Sequence, residues 1–273
     1  MNKYREILNS WEVPGKKTTD QAWNDIQPRL SATKPQEARV ISFSWRPLVS
    51  VAAAAAVIVA VVLVWPNSKL IQRETAARQI EAVMLPDQSM MILNAGSSAS
   101  YDDDWSDSRT LELDGQAFFE VQKGSKFSVV TSSGVVEVLG TSFDVFSRGQ
   151  DFRVSCTTGK VRVSSGKSNV EITPGNMAEL SKGVLVISQF DPQQADWQSG
   201  EFTFTDEPLQ NVFSEMQRQF NITITSPELK DRFYTGRFSN RDLAEALELV
   251  CLPMGLRYEI GNNNNVTITV QSR

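Results

Sequence analysis

The sequence predicts a single transmembrane helix that carries an all-β domain of many short antiparallel strands, followed by a small α+β domain. Three observations predict it. Residues 47–65 form an uncharged apolar run, Met90 to Ile187 is a series of short period-two segments, and the patterning turns to mixed helix and strand near residue 197. Charge divides the same way. Residues 1–46 carry a net +3, residues 47–65 carry none, and residues 66–273 carry −8, out of −5 for the whole 273-residue chain. A basic head and an acidic body separated by a neutral apolar run point to two compartments.

The run PLVSVAAAAAVIVAVVLVW contains one polar residue, Ser50, and is flanked by Trp45 and Trp65. At about 1.5 Å per residue it reaches about 28 Å, close to the hydrocarbon thickness of a bilayer. It begins too far into the chain for a secretory leader and ends in bulky residues rather than a small-residue cleavage site. Basic residues balance across it: Lys34, Arg39 and Arg46 precede it, and Lys69, Arg73 and Arg78 follow. Orientation therefore rests on the bodies it joins. The basic head (1–46) suits the cytoplasm, and the acidic strand-rich part suits the outside of an inner membrane crossed once.

In the head, Tyr4, Ile7, Leu8 and Trp11 share one face of a short helix, broken at Pro14-Gly15. Thr19 is expected to cap a second helix with Ala22, Trp23, Ile26 and Leu30 on one side, kinked or ended by Pro28. Two short amphipathic helices bury their apolar faces poorly. They read either as a loosely ordered tail or as a helix-in-groove ligand for a cytoplasmic protein, with Trp11, Trp23 and Ile26 as anchors. The head has neither a full helix-turn-helix nor a dense basic stripe, so direct nucleic-acid binding is not expected.

Residues 66–83, including the helix-forming string LIQRETAARQIEAV, read as a stalk. A β domain over 84–190 follows, its strands punctuated by Asp114-Gly115, Lys123-Gly124, Ser133-Gly134, Thr158-Gly159, Ser165-Gly166, Pro174-Gly175 and Lys182-Gly183. Residues 197–273 read β-α-β-β-α-β-β, with helices opening at Asp206/Pro208 and at Ser239–Asp242 and a final hairpin turning at Asn262–Asn265. Phe202, Phe204, Phe238 and Tyr258 read as core, and the domain's exposed strand edges read as docking sites.

The chain has no histidine, which removes the commonest general base and metal ligand and disfavours a hydrolase triad or a zinc site. No enzyme activity, metal site or cofactor is expected, although carboxylate catalysis on the β domain stays open as a third reading. Asp102, Asp103 and Asp104 lack the spaced oxygen ligands of a calcium loop. Cys156 and Cys251 lie in apolar patterns that suit a core, and a disulfide between them stays open.

The strings LPDQSMMILNAGSSASY, LELDGQAFFEV, FSVVTSSGVVEVLGTSFDV, TTGKVRVSSG and ITPGNMAEL resemble the periplasmic domain of FecR-type anti-sigma factors. WQSGEFTFTDEPLQNVF through TGRFSNRDLAEALELV resembles the C-terminal domain of the Bacteroidetes branch. That domain is similar to the STN signalling domain of secretins and TonB-dependent transporters. The head string AWNDIQPRL is also similar to that branch. The chain departs from the family at Gln88, where a turn glycine is usual, and in a head shorter than the helical bundles that bind sigma factors elsewhere in the family. The resemblance implies cell-surface signalling. The signalling domain of a TonB-dependent outer-membrane transporter would touch the periplasmic part, and the head would control an extracytoplasmic-function sigma factor. Some family members cut themselves at a Gly-Thr bond, which here falls at Gly140-Thr141. A membrane-anchored periplasmic binding or scaffold module, with an inert head, is the other reading of the residues.

Overall fold

The computed structural model describes residues 15, 17–32, 69–106, 108–190 and 197–270, in two separate units divided at Trp65/Pro66. The expected span at 47–65 and the anchor Trp11 lie outside the described residues. Among the described residues, no helix is long and apolar enough to cross a membrane.

In the first unit, helix α1 spans Thr19–Ala32. The cap is Thr18 rather than Thr19: its carbonyl accepts the first helical hydrogen bond from Ala22, and its own N–H donates to Gln21 Oε1 at 3.3 Å. Pro28 does not end the helix, which continues to Ala32. A proline costs one hydrogen bond to the preceding turn, and here the helix absorbs that loss.

In the second unit, thirteen strands build a two-layer β domain: β1 Leu70–Glu74, β2 Glu81–Met84, β3 Met90–Leu93, β4 Ser98–Asp102, β5 Arg109–Glu120, β6 Phe127–Val130, β7 Val135–Val138, β8 Ser142–Arg148, β9 Asp151–Cys156, β10 Val161–Ser165, β11 Ser168–Ile172, β12 Asn176–Ser181 and β13 Val184–Gln189. Two expectations are corrected. The helical stalk is replaced over 70–84 by β1 and β2, paired antiparallel with β4 and β3. Ladder pairing and the burial of Ile71 and Val83 against the core outweigh the weak helix propensity of the string. The Asp114-Gly115 turn is also absent, because β5 runs straight through it. Its first half pairs with β4 and, in parallel, with β6, and its second half pairs with β3 and β8. Thus β5 belongs to both layers, β1-β4-β5-β6-β7-β10-β11 and β2-β3-β5-β8-β9-β12-β13, whose inner faces share one core. Phe119, Phe127 and Phe143 are fully buried at its centre, Phe119 stacked on Phe143 and edge-on to Phe127.

A short 3-10 turn, Trp197–Ser199, leads into the α+β part: β14 Glu201–Pro208, α2 Leu209–Phe220, β15 Thr223–Thr225, β16 Phe233–Ser239, α3 Leu243–Cys251, β17 Leu256–Ile260 and β18 Asn265–Val270. This is the expected order. Asp206 belongs to a bulge in β14 rather than to the helix start, and α2 begins after Pro208. Asp242 caps α3, accepting from the N–H groups of Ala244 and Glu245. Asn263 and Asn264 both adopt the left-handed conformation that a tight β17–β18 hairpin requires. A second core gathers Phe202, Phe213, Met216, Phe238 and Leu247, with Phe204 and Tyr258 half-buried against it.

Candidate docking face, cleavage bond and interdomain junction

Two sites carry functional expectations, and the structure adds a third. On α1, Trp23, Ile26 and Leu30 recur at helical spacing and are 61%, 48% and 65% exposed. Trp23 and Ile26 therefore do share one open apolar face.

The Gly140-Thr141 bond lies in the loop before β8. Gly140 is packed so tightly that a Cβ would come within 2.8 Å of the Lys123 Cα. Thr141 is buried; its hydroxyl donates to the Lys160 carbonyl at 3.1 Å, and its carbonyl accepts from the Val121 N–H at 3.0 Å. The bond borders an open pocket of about 560 Å³ lined by Glu120, Gln122, Lys123 and Thr158. A threonine hydroxyl attacks a preceding carbonyl only where backbone constraint brings the two together. Here the constraint is steric, and the hydroxyl proton is directed at Lys160.

The third site was not legible in the sequence. The α+β part sits on the outer face of the β3-β5-β8-β9 layer, where Ile92 and Phe118 pack against the second core. A chain of side-chain hydrogen bonds crosses the junction. Trp197 Nε1 donates to Asp144 Oδ2 (2.8 Å), Gln116 Nε2 donates to Asp144 Oδ1 (3.0 Å), and Asn94 Nδ2 donates to Gln116 Oε1 (2.9 Å). Gln219 Nε2 on α2 donates to both Asn94 Oδ1 (2.9 Å) and Glu215 Oε1 (2.8 Å), and Arg218 donates to Glu215 Oε2 (2.6 Å). Asn94, Gln219 and Glu215 are all buried. Beside this chain Arg153 pairs with Glu207 at 2.7 Å and stacks over Phe146. Burial raises the Asp144 carboxyl to about 6, against the opposing pull of Gln116, Trp197 and the Arg153 charge. No motif announces these residues, because they are scattered from 94 to 219. The only signal is an acidic residue, Asp144, inside the apolar string SFDVF.

Asp103 accepts from the Lys69 N–H just before β1, 34 residues away, and Asp104 accepts from the Ser106 N–H as a local turn acceptor. Among the described residues no cluster could hold a metal ion. The two cysteines are free and sit in separate cores, so they do not pair.

Two family models match in order, FecR protein over residues 72–162 and FecR, C-terminal over residues 201–268, together more than half of the chain. The chain belongs to the FecR family. The FecR match runs from β1 into β10, and the FecR C-terminal match from β14 into β18. Two crystal structures from Parabacteroides distasonis ATCC 8503, each described as a candidate anti-sigma factor, share the FecR fold. One is 27% identical with a TM-score of 0.71 and covers 75% of this chain and all of its own. The other is 26% identical with a TM-score of 0.70 and covers 74% of this chain and all of its own. No curated protein matches the chain.

Proposed function

We propose that this FecR protein is an anti-sigma factor: a single-pass inner-membrane relay, without enzyme activity, in which the head governs an extracytoplasmic-function sigma factor. The observation that carries the reading is the ordered pair of FecR matches on one unit, joined to a head helix whose Trp23–Ile26–Leu30 face is open. The apolar run 47–65 lies between them, and at about 28 Å it suits one crossing of a bilayer. On the periplasmic side the STN-like C-terminal domain receives the signalling domain of a TonB-dependent outer-membrane transporter. Its small sheets expose backbone edges at β15 and β17, which suit strand addition. Cleavage at Gly140-Thr141 belongs to this proposal as a maturation step: the Thr141 hydroxyl attacks the Gly140 carbonyl, the amide breaks with the Thr141 nitrogen leaving as a protonated amine, and water hydrolyses the resulting ester to a Gly140 carboxylate and the free hydroxyl.

The test is capture from lysate on the tagged full-length chain, with mass spectrometry of what is retained, beside a Trp23→Ala variant. Recovery of a sigma factor by the wild type and its loss from the variant is the expected result. Periplasmic proteins alone, retained equally by both, would make the chain an anchored scaffold instead. For the bond, two fragments meeting at Thr141 are expected from the wild type and one intact band from Thr141→Ala. An intact wild-type band removes the maturation step.

A further inference from the structure

A free strand edge is a row of unpaired backbone donors and acceptors, and proteins commonly blunt such edges with charge. Among the described residues the β domain has four free edges, and three follow that rule. Strand β1 carries Arg73 and Glu74, β2 carries Glu81, and β11 carries Glu171. The fourth does not. Strand β13 pairs only with β12, and Val184 to Phe190 reads VLVISQF without a charge. Val184, Val186 and Ile187 are 57%, 51% and 48% exposed, and Leu185 alone on the strand is buried.

The hydrogen bonds of β13 define which backbone groups stay open. The Phe190 N–H donates to the Gly175 carbonyl, on the β12 side. Bonding alternates along an antiparallel ladder, so the even-numbered residues face β12, and Leu185, Ile187 and Gln189 face outward. The Leu185 N–H is already taken by Ser168 Oγ of β11 at 3.1 Å. That leaves Ile187 and Gln189, one on each side of Ser188. We infer that this edge is a homodimer interface, in which two copies join their β13 strands antiparallel about a twofold axis at Ser188. In that register Ile187 of each copy exchanges both backbone hydrogen bonds with Gln189 of the other. Val186 then lies opposite Phe190 of the second copy, which covers apolar surface on the outer face. The missing charge selects this occupant. Near a twofold axis any charge lies close to the same charge of the second copy, so self-pairing requires an uncharged run. A strand from a different protein imposes no such requirement and would gain from charges opposite its own.

The experiment uses the purified full-length chain in detergent, whose two native cysteines are buried. The Ser188 pair is not hydrogen-bonded in this register, which brings its Cα atoms to about 4.5 Å, within reach of a disulfide. Under mild oxidation Ser188→Cys is expected to give a disulfide-linked dimer on a non-reducing gel. The wild type and Ser181→Cys, at the far end of the β12–β13 hairpin, should stay single chains on the same gel. Ser188→Lys sets two like charges face to face at an exposed position. It should raise the dimer dissociation constant at least about 5-fold by sedimentation, with an unchanged thermal midpoint. Equal cross-linking at positions 181 and 188, a wild-type chain that sediments as a monomer at about 100 µM, or a dimer indifferent to Ser188→Lys would overturn the interface.

Discussion

Gly115, in the middle of β5, lies directly against Ser97: a Cβ there would sit 2.4 Å from the Ser97 Oγ and 2.7 Å from its Cα. The same glycine has φ +117, a conformation that L side chains rarely adopt. Contact and conformation coincide where β5 passes from one layer to the other. Ser97 Oγ in turn accepts from the Gln116 N–H at 3.0 Å and is reached by Arg148, so it has little room to yield. Gly115→Ala is expected to destabilise the β domain by roughly 3–5 kcal/mol, read as the shift in a denaturant midpoint. An unchanged midpoint would show that the crossover tolerates a side chain.

Arg109 and Asp87 form an almost fully buried ion pair at 2.8 Å, closing the β2–β3 turn onto the start of β5. Asp87 also accepts from the Ser89 N–H and hydroxyl. Removing only the carboxylate strands a guanidinium whose Nε and second Nη already lack partners. Asp87→Ala should therefore cost roughly 3 kcal/mol, and Arg109→Met less, because the Asp87 carboxylate it leaves behind still accepts from the Ser89 N–H and hydroxyl. Thermal denaturation of both variants checks the order. A larger loss from Arg109→Met would assign the value of the pair to the packing of the arginine stem.

The sequence pattern made some of this fold legible and concealed the rest for identifiable reasons. Strands such as Phe143–Phe146 and Phe152–Cys156 alternate cleanly because one face is buried, and the structure extends each by a residue or two. Strand β1 was hidden because its pattern is almost wholly exposed; Gln72, Arg73 and Glu74 read as a helix surface, and only pairing with β4 makes them a strand. The unbroken β5 did leave a trace. Leu111, Leu113, Ala117 and Phe119 keep one phase across Asp114-Gly115, whereas a two-residue turn would have reset the pairing. On α1, Trp23 and Ile26 could be placed on one face by spacing alone. The junction could not be read, since Asn94, Asp144, Trp197 and Gln219 converge only through tertiary packing.

Gln88 occupies the tight turn before β3 at φ +66, where its N–H donates to the Leu85 carbonyl. A side chain in that region costs about 1 kcal/mol or somewhat more, while glycine would add conformational entropy to the unfolded chain. The first effect is the larger. Gln88→Gly is expected to raise stability by roughly 0.5 kcal/mol, measured from the same denaturant midpoint. A loss of stability would mean that the glutamine side chain makes a compensating contact.

Cys156 lies under the first core and Cys251 under the second, both buried and free. Burial pushes each thiol up to about 11 from an ordinary 9. The thiolate is the reactive form, so at pH 8 the native thiols hold about 100-fold less of it than they do in the unfolded chain. Steric protection adds to this. Iodoacetamide at pH 8 should label neither cysteine in the native protein over a time in which both are fully labelled in denaturant, as counted by intact mass. The sign also fixes the alkaline limb of stability. Folding favours the protonated thiols, so stability is kept below pH 9 and lost as pH rises toward 11. Rapid native labelling of Cys251 alone would show that the C-terminal core opens independently of the β domain.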